Sequence, residues 1–167
     1  MDSAIVYKEM QGFKQSWLRY ILPVSFVIAI IIFLLQVFTK QEYLSDALFA
    51  TIIIACIAFF LFSIRMETLI KTDGIYVRYS PFHRQHQFFP WETIQAISIR
   101  KYNPLLEYGG WGIRFGIFGL GKAYNVSGTI GIQLVFQNGD RLLIGTTAPD
   151  EVAAALNRLN QPFVFEV

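Results

Sequence analysis

Two long apolar runs without a charged residue, at residues 21–38 and 47–64, constrain this sequence more than any other feature. An α-helix rises about 1.5 Å per residue, so each run of about 18 residues would span roughly 27 Å, close to the hydrocarbon thickness of a bilayer. A chain of 167 residues is too short to hide two helices that are apolar on every side. The sequence therefore predicts a transmembrane hairpin of two helices over residues 17–64.

Aromatic and basic residues flank both runs, as is usual where a helix leaves the hydrocarbon. The predicted membrane-interface anchors are Trp17, Arg19, Tyr20, Lys40, Tyr43 and Arg65. Lysine and arginine are concentrated before the first run and after the second, whereas the connector carries one lysine beside acidic residues. Because positive charge favours the cytoplasmic side, both termini are predicted to be cytoplasmic, and residues 1–16 to form a cytoplasmic or interfacial segment.

Residues 65–167 have the period-two alternation of β-strands. Strong hairpin turns are predicted at residues 73–74 (Asp-Gly) and 138–139 (Asn-Gly). Pro90 is expected at the end of a strand or in a bulge, because proline cannot donate to a ladder. A break in the alternation near Gln95 indicates a β-bulge. The pattern as a whole predicts about seven strands.

One helix is predicted near the C terminus. Thr147 followed by Asp150 has the spacing of a capping box, and Val152, Leu156 and Leu159 form one apolar stripe. The predicted fold class is therefore an α+β membrane protein. In it, the transmembrane hairpin precedes a small antiparallel β-barrel or sandwich that one C-terminal helix caps.

Four blocks of the sequence carry a resemblance to a known family. In chain order they are TDGIYVRYSPF, FPWETIQAISI, EYGGWGIR and GIQLVFQNGDRLLIGTTAPDEVAAAL. Here the sequence is similar to the bacterial pleckstrin-homology-like domain, and as a whole it resembles small bacterial membrane proteins with two spans followed by that domain. The resemblance implies a pleckstrin-homology-like cytoplasmic domain at residues 65–167 and a multi-pass location in the bacterial inner membrane. The family brings no established reaction or ligand.

A glycine-rich segment at residues 109–125 raises the question of a phosphate-binding loop, because Gly116 to Lys122 has the G-x-x-x-x-G-K spacing. Such a loop needs a serine or threonine after the lysine and a helix behind it. Ala123 follows the lysine here, and the next residues alternate like a strand, which argues against a nucleotide site. The glycines are expected to bend the sheet, either alone or while also forming a binding surface. The candidate binding surface consists of Tyr108, Trp111, Arg114, Lys122 and Tyr124.

The remaining polar residues predict no catalytic, cofactor or metal site. His83 and His86 would point to opposite faces of a strand, and Cys56 is the only cysteine. A net charge of +2 is too small for a nucleic-acid-binding surface. The predicted function is a non-catalytic, membrane-anchored binding or assembly module that acts through a protein partner or self-association. The alternative is a peripheral domain that senses anionic lipid headgroups by docking on its own membrane.

Overall fold

The structure, a computed structural model, describes residues 3–12, 18–39, 44–116 and 119–166. The chain divides into two compact units. The helical unit is Phe13–Ser63, and the β-unit combines Met1–Gly12 with Ile64–Val167. The helical unit is therefore an insertion in the sequence of the β-unit. Residues before the first apolar run therefore belong to the β-unit, which the sequence pattern had not predicted.

The helical unit contains α1 (Leu18–Thr39) and α2 (Leu44–Ser63). Their described side chains are mostly apolar and exposed, as in Phe38 at 82% and Phe59 at 77%. Ser63 Oγ donates a hydrogen bond of 2.8 Å to the carbonyl oxygen of Phe59, which satisfies one acceptor in the last turn of α2.

The structure contradicts the predicted transmembrane hairpin. Over the part of the chain that it describes, no helix is both long enough and apolar enough to cross a membrane. By this measure the predictions of an integral membrane protein and of a multi-pass inner-membrane location with cytoplasmic termini are also wrong.

The predicted interface anchors fall in different parts of the chain. Arg65 is exposed and is the first residue of a strand of the β-unit. Arg19 and Tyr20 lie in α1, and their side chains are outside the description. The others lie outside the described residues altogether: Trp17, Lys40 and Tyr43.

The first sheet of the β-unit is antiparallel and has the strand order β1-β2-β3-β4. Its strands are β1 (Ile5–Gly12), β2 (Arg65–Lys71), β3 (Gly74–Ser80) and β4 (Gln87–Pro90). In the sequence, the helical unit lies between β1 and β2. The last residue of β1, Gly12, is paired with the first residue of β2, Arg65.

The second sheet is mixed and has the strand order β10-β5-β8-β9-β7-β6. Its strands are β5 (Ile94–Lys101), β6 (Gly112–Phe115), β7 (Lys122–Asn125), β8 (Ile130–Phe136), β9 (Arg141–Thr146) and β10 (Val164–Glu166). The pairs β10–β5 and β7–β9 are parallel. The prediction of about seven antiparallel strands is therefore corrected. Several strands are too short for a period-two pattern to reveal, and the sequence pattern carries no information on strand direction.

The core of the β-unit follows from strand alternation. In β3, Ile75, Val77 and Tyr79 are buried, while Tyr76 and Arg78 between them are partly exposed. Both sheets supply large, fully buried side chains, among them Met66, Ile70, Ile99, Ile132, Leu134, Leu143 and Ile144. Helix α4 (Pro149–Arg158) adds Val152, Ala155 and Leu156 to the buried set.

Several local predictions are confirmed. Strands β2 and β3 are joined by a turn at residues 72–73, one residue earlier than predicted, because Gly74 already pairs with Lys71. Strands β8 and β9 are joined by a turn that contains residues 138–139, as predicted. Pro90 is the last residue of β4. The pairing of β5 with β8 shifts register between Ile94 and Ala96, which places the bulge at Gln95.

The predicted capping box is not formed. The residue before α4 is Ala148, which makes no side-chain cap. Thr147 Oγ1 instead donates a hydrogen bond of 2.7 Å to the Glu9 carboxylate of β1. The sequence spacing gave the position of the helix, but a distant strand competes for the capping hydroxyl.

Candidate functional site

The structure separates the five predicted surface residues into two groups. Lys122 and Tyr124 of β7 line a groove at one end of the second sheet, whereas Trp111 lies beside α3 (Pro104–Tyr108) in another groove. Tyr108 is only 2% exposed, and its ring contacts Tyr102 edge to face with a centroid distance of 6.0 Å. The five residues therefore do not form one continuous surface, and Tyr108 belongs to the core.

The groove beside β7 has a volume of about 430 Å³ and lies between β4 of the first sheet and β6–β7 and β8–β9 of the second. Aromatic side chains from both sheets line it, and we name it the aromatic groove: Phe89, Phe115, Tyr124 and Phe136. Lys122 and Arg141 also line it. Its volume is in the range of about 300–1,000 Å³ that is typical of ligand sites.

Contacts between the sheets fix the aromatic walls. Phe89 of β4 and Phe136 of β8 lie with ring centroids 5.7 Å apart. Tyr124 packs against the ring of His83, at 5.4 Å and nearly perpendicular to it. Burial lowers the pKa of His83 below its usual 6.5. The His83 Nδ1 atom lies 3.4 Å from the Tyr79 amide nitrogen and accepts its hydrogen bond, an arrangement that requires Nδ1 to be unprotonated.

The exposed side of the groove is formed by the β6–β7 hairpin. Phe115 and Lys122 are paired across the two strands, and the Lys122 ammonium lies 5.6 Å from the centre of the Phe115 ring. Phe115 is 71% exposed. A large apolar ring held in solvent beside a cation can contact an occupant of the groove without first unpacking.

At Gly121 the structure shows why the glycine-rich segment needs a glycine. Its φ is +80°, and a Cβ there would collide with the backbone of Arg141 in β9. The Gly116 amide donates a hydrogen bond of 2.6 Å to the Gly121 carbonyl oxygen, which closes the hairpin. Only glycine allows the turn to lie this close to β9. Lys122 then begins a strand, so the helix N-terminus that a phosphate-binding loop requires is not located here.

The groove contains two cationic residues on neighbouring strands. Lys122 begins β7 and is paired with Leu142, the residue after Arg141, in the parallel β7–β9 ladder. Within the described part of the chain, neither cation belongs to an ion pair. The nearby Asp140 carboxylate accepts a hydrogen bond of 2.8 Å from the Asn138 amide inside the β8–β9 turn. Lys122 therefore places a positive charge beside a largely apolar lining.

The groove beside α3 has different chemistry. Its volume is about 590 Å³, and Trp111 and the exposed Leu105 line it. Its acid, Glu107, is bound at 2.8 Å by Arg100, and it also accepts a hydrogen bond of 2.7 Å from the Asn103 amide. Burial, the largest single effect, raises the pKa of Glu107, but the hydrogen bonds from Arg100 and from the Asn103 amide and the positive charge of Arg100 together lower it below its usual value. The polar groups of this surface are mostly used to fix α3.

Arg114 forms no ion pair among the residues that the structure describes. Its Nε donates a hydrogen bond of 3.1 Å to the carbonyl oxygen of Trp111, and the guanidinium is otherwise exposed on β6. The Trp111 indole N–H donates a long bond of 3.4 Å to the Gly128 carbonyl oxygen. Trp111 and Arg114 are therefore neighbours, as the candidate surface required.

Two largely buried carboxylates were missed from the sequence. Glu67 on β2 is bound by Lys8 at 2.7 Å, Arg78 at 2.8 Å and His86 at 3.0 Å. The Lys8 hydrogen bond is the main reason that the pKa of Glu67 is lowered, against the effect of burial. His83 and His86 are thus committed to different contacts.

Glu9 on β1 is the second buried carboxylate, at 8% exposure. It accepts hydrogen bonds from the hydroxyl groups of Tyr7, Thr146 and Thr147 and from the Thr147 amide. These bonds join the first sheet to the end of β9, so Glu9 is a structural group of the β-unit.

No metal-binding cluster is present among the residues that the structure describes, since no three His, Cys, Asp or Glu side chains converge there. Comparison with family models, with curated proteins and with solved structures found no match for this chain. The resemblance to the bacterial pleckstrin-homology-like domain therefore stays a prediction, and the chemistry of the aromatic groove is the basis on which a function can be proposed.

Proposed function

We propose that the β-unit is a non-catalytic binding module and that an extended segment of a partner protein lies in its aromatic groove. The observation that carries the proposal is the position of the groove, beside edge strands of two different sheets, β4 and β6. An exposed strand edge offers unpaired main-chain groups, and apolar pockets beside it select side chains. Both elements of strand-type recognition are thus present at one place.

The edge of β4 is the side that would accept the segment. Among the described strands β4 has a single neighbour, β3, so its other edge is unpaired. Pro90 ends the strand and cannot donate, which restricts pairing to residues 87–89. A short pairing of this kind binds weakly by itself. Contact with Phe89 and Phe115 would supply the apolar part of the affinity.

A protein segment suits the groove better than a bilayer surface does. The aromatic lining includes Tyr124, which is buried, and Phe136, which contacts Phe89 of the facing sheet. A flat array of lipid headgroups cannot reach side chains at this depth, whereas an extended chain can insert alternate side chains. The peripheral lipid-sensing alternative has no comparable support from the groove.

We also infer that the β-unit is pleckstrin-homology-like. The inference is supported by the four sequence blocks described above. The inference concerns the fold of the unit, and the binding proposal does not depend on it.

The binding proposal can be tested by selecting a random peptide library on the full-length chain and measuring the selected peptides by fluorescence anisotropy. Phe115→Ala should weaken their binding at least about tenfold, because truncating a contact residue at the centre of a site removes both area and shape. Phe165→Ala is the matched control, since Phe165 is an exposed phenylalanine on β10 at the opposite edge of the second sheet. Selected peptides that bind Phe115→Ala as well as the wild-type chain would count against the proposal.

A further inference from the structure

We propose that the partner segment contains an alternating triplet, an apolar residue, any residue and a second apolar residue, and that the middle residue pairs through its main chain with Phe88 of β4. The inference rests on the proposed function and gives the sequence pattern and the alignment of the bound segment. It follows from the direction in which the main-chain groups of β4 point and from the faces that its side chains occupy.

The hydrogen-bond pattern between β3 and β4 sets that direction. In an antiparallel ladder every second pair of opposed residues exchanges hydrogen bonds, and the residues between such pairs point their N–H and C=O groups away. The Trp91 amide donates a bond of 3.3 Å to the Asp73 carbonyl oxygen. Two residues along each strand in the same register, Phe89 faces Ile75, so these two also form a bonded pair. The Phe89 carbonyl oxygen is accordingly directed at β3, where a Cβ added to Gly74 would collide with it.

Phe88 therefore points its main-chain groups to the free edge of β4. It faces Tyr76, a position between two bonded pairs. Among the described residues its N–H and C=O have no main-chain partner. Pro90 occupies the next position of this kind and offers only a carbonyl oxygen. Within β4, whose four residues are all described, Phe88 is the one residue that can both donate to an added strand and accept from it.

The side chains of β4 divide between the aromatic groove and the opposite face of the sheet. Gln87 and Phe89 line the groove. Phe88 points the other way, and its ring stacks on Tyr76 with the ring centroids 4.5 Å apart. Directly opposed residues of neighbouring strands share a face. The partner residue opposite Phe88 therefore turns its side chain away from the groove, and the residues before and after it turn theirs into the groove.

The lining of the groove determines which side chains suit the two inward positions. Phe89, Phe115 and Phe136 contribute rings to it, so aliphatic or aromatic side chains remove the most apolar surface from water there. The middle side chain lies beside Phe88, which is 45% exposed, and stays in contact with solvent. Its identity is therefore free to vary, which gives the alternating triplet.

The test on the partner uses the best peptide from the selection above, made in copies that each carry one N-methylated amide within the triplet. Methylation of the middle residue should weaken binding about tenfold or more, because it removes the donor to the Phe88 carbonyl oxygen. Methylation of either flanking residue should change binding less than about twofold, because those N–H groups point away from β4. Alanine should weaken binding at least about fivefold at the flanking positions and leave it unchanged at the middle one.

Two substitutions of Phe88 form a matched pair on the protein. Phe88→Ala keeps the main-chain N–H and should bind the peptide within about threefold of the wild-type chain, because the lost ring lies on the face opposite the groove. Phe88→Pro removes that N–H and should weaken binding about tenfold or more. The Phe88 N–H is not used in the β3–β4 ladder, so urea unfolding should show that both variants fold. If Phe88→Pro does not fold, the methylated peptides decide.

The outcomes separate this inference from the proposed function. Selected peptides that share no alternating triplet, or methylation effects that are equal at all three positions, would overturn the inference while the binding module stands. Full binding by Phe88→Pro would overturn it as well. Peptides that bind Phe115→Ala as well as the wild-type chain would overturn the binding module itself.

Discussion

Replacing Glu9 by alanine should lower the free energy of unfolding of the β-unit by about 2–4 kcal/mol. The carboxylate accepts bonds of 3.0 Å from the Tyr7 hydroxyl, 2.8 Å from Thr146 Oγ1, and 2.8 and 2.7 Å from the Thr147 amide and hydroxyl. Thr147 is exposed, so water replaces the carboxylate there at little cost. Tyr7 and Thr146 are buried, and each unsatisfied hydroxyl costs about 1–2 kcal/mol.

Glu9→Gln should cost less than Glu9→Ala. All the contacts to Glu9 come from donors, but the hydroxyls of Tyr7 and Thr146 can rotate and accept from the new amide group. The remaining carbonyl oxygen can still accept from Thr147. If the main contribution of Glu9 were its charge alone, the two substitutions would be equally destabilising.

The assay is urea unfolding at neutral pH in a Trp17→Phe background, in which the remaining tryptophans, Trp91 and Trp111, both belong to the β-unit. Glu92→Ala is the control, because Glu92 is exposed and surface changes of this kind usually stay within about 0.5 kcal/mol. A cost for Glu9→Ala no larger than that of Glu92→Ala would refute the reasoning. Amide exchange at Thr147 provides a local check, since its N–H should lose protection.

Three further predictions follow from described contacts. Gly119→Ala should lower the free energy of unfolding by about 1 kcal/mol, because its φ is positive. Gly121→Ala should lower it clearly more, because the added Cβ would also collide with the backbone of β9. Equal losses for the two variants in urea unfolding would contradict this. Burial lowers the pKa of His83, so the unfolded chain binds more protons than the folded chain, and the free energy of unfolding should fall as pH drops below about 6.5. His83→Asn should flatten this dependence of stability on pH, and an unchanged dependence would refute the assignment to His83. Arg100→Gln should raise the pKa of Glu107, as measured by NMR titration. The stability that the lowered pKa of Glu107 provides is present above pH 4.5 and is lost as pH falls below it. If the pKa of Glu107 does not move in this variant, the ion pair with Arg100 is not the cause of the lowered pKa.

Local rules predicted those parts of the β-unit that depend on a few adjacent residues. The turns, the position of Pro90 and the bulge at Gln95 are all set by backbone chemistry within a short segment. Strand β1 was missed because two of its inward-facing residues, Glu9 and Gln11, are polar. Hydrogen bonds to tertiary partners offset the cost of that burial, as in the bond of 2.7 Å that the Gln11 side-chain amide donates to the Gly145 carbonyl oxygen.

The candidate site was predicted in part. Lys122 and Tyr124 were named from the glycine-rich segment, and both line the aromatic groove. Phe89 and Phe136 were not named, because their contact joins two sheets and leaves no trace in either local pattern. Aromatic residues near strand ends, as Phe89 and Phe136 are, form a signal that could have drawn attention to them.

The pairing of Gly12 with Arg65 means that the β-unit can be connected without the helical unit. Residues that face each other across an antiparallel ladder are the positions that a two-residue reverse turn connects. A shortened chain in which such a turn replaces everything between them would keep the register of β1 and β2 and would turn a discontinuous unit into a single uninterrupted meander of four strands.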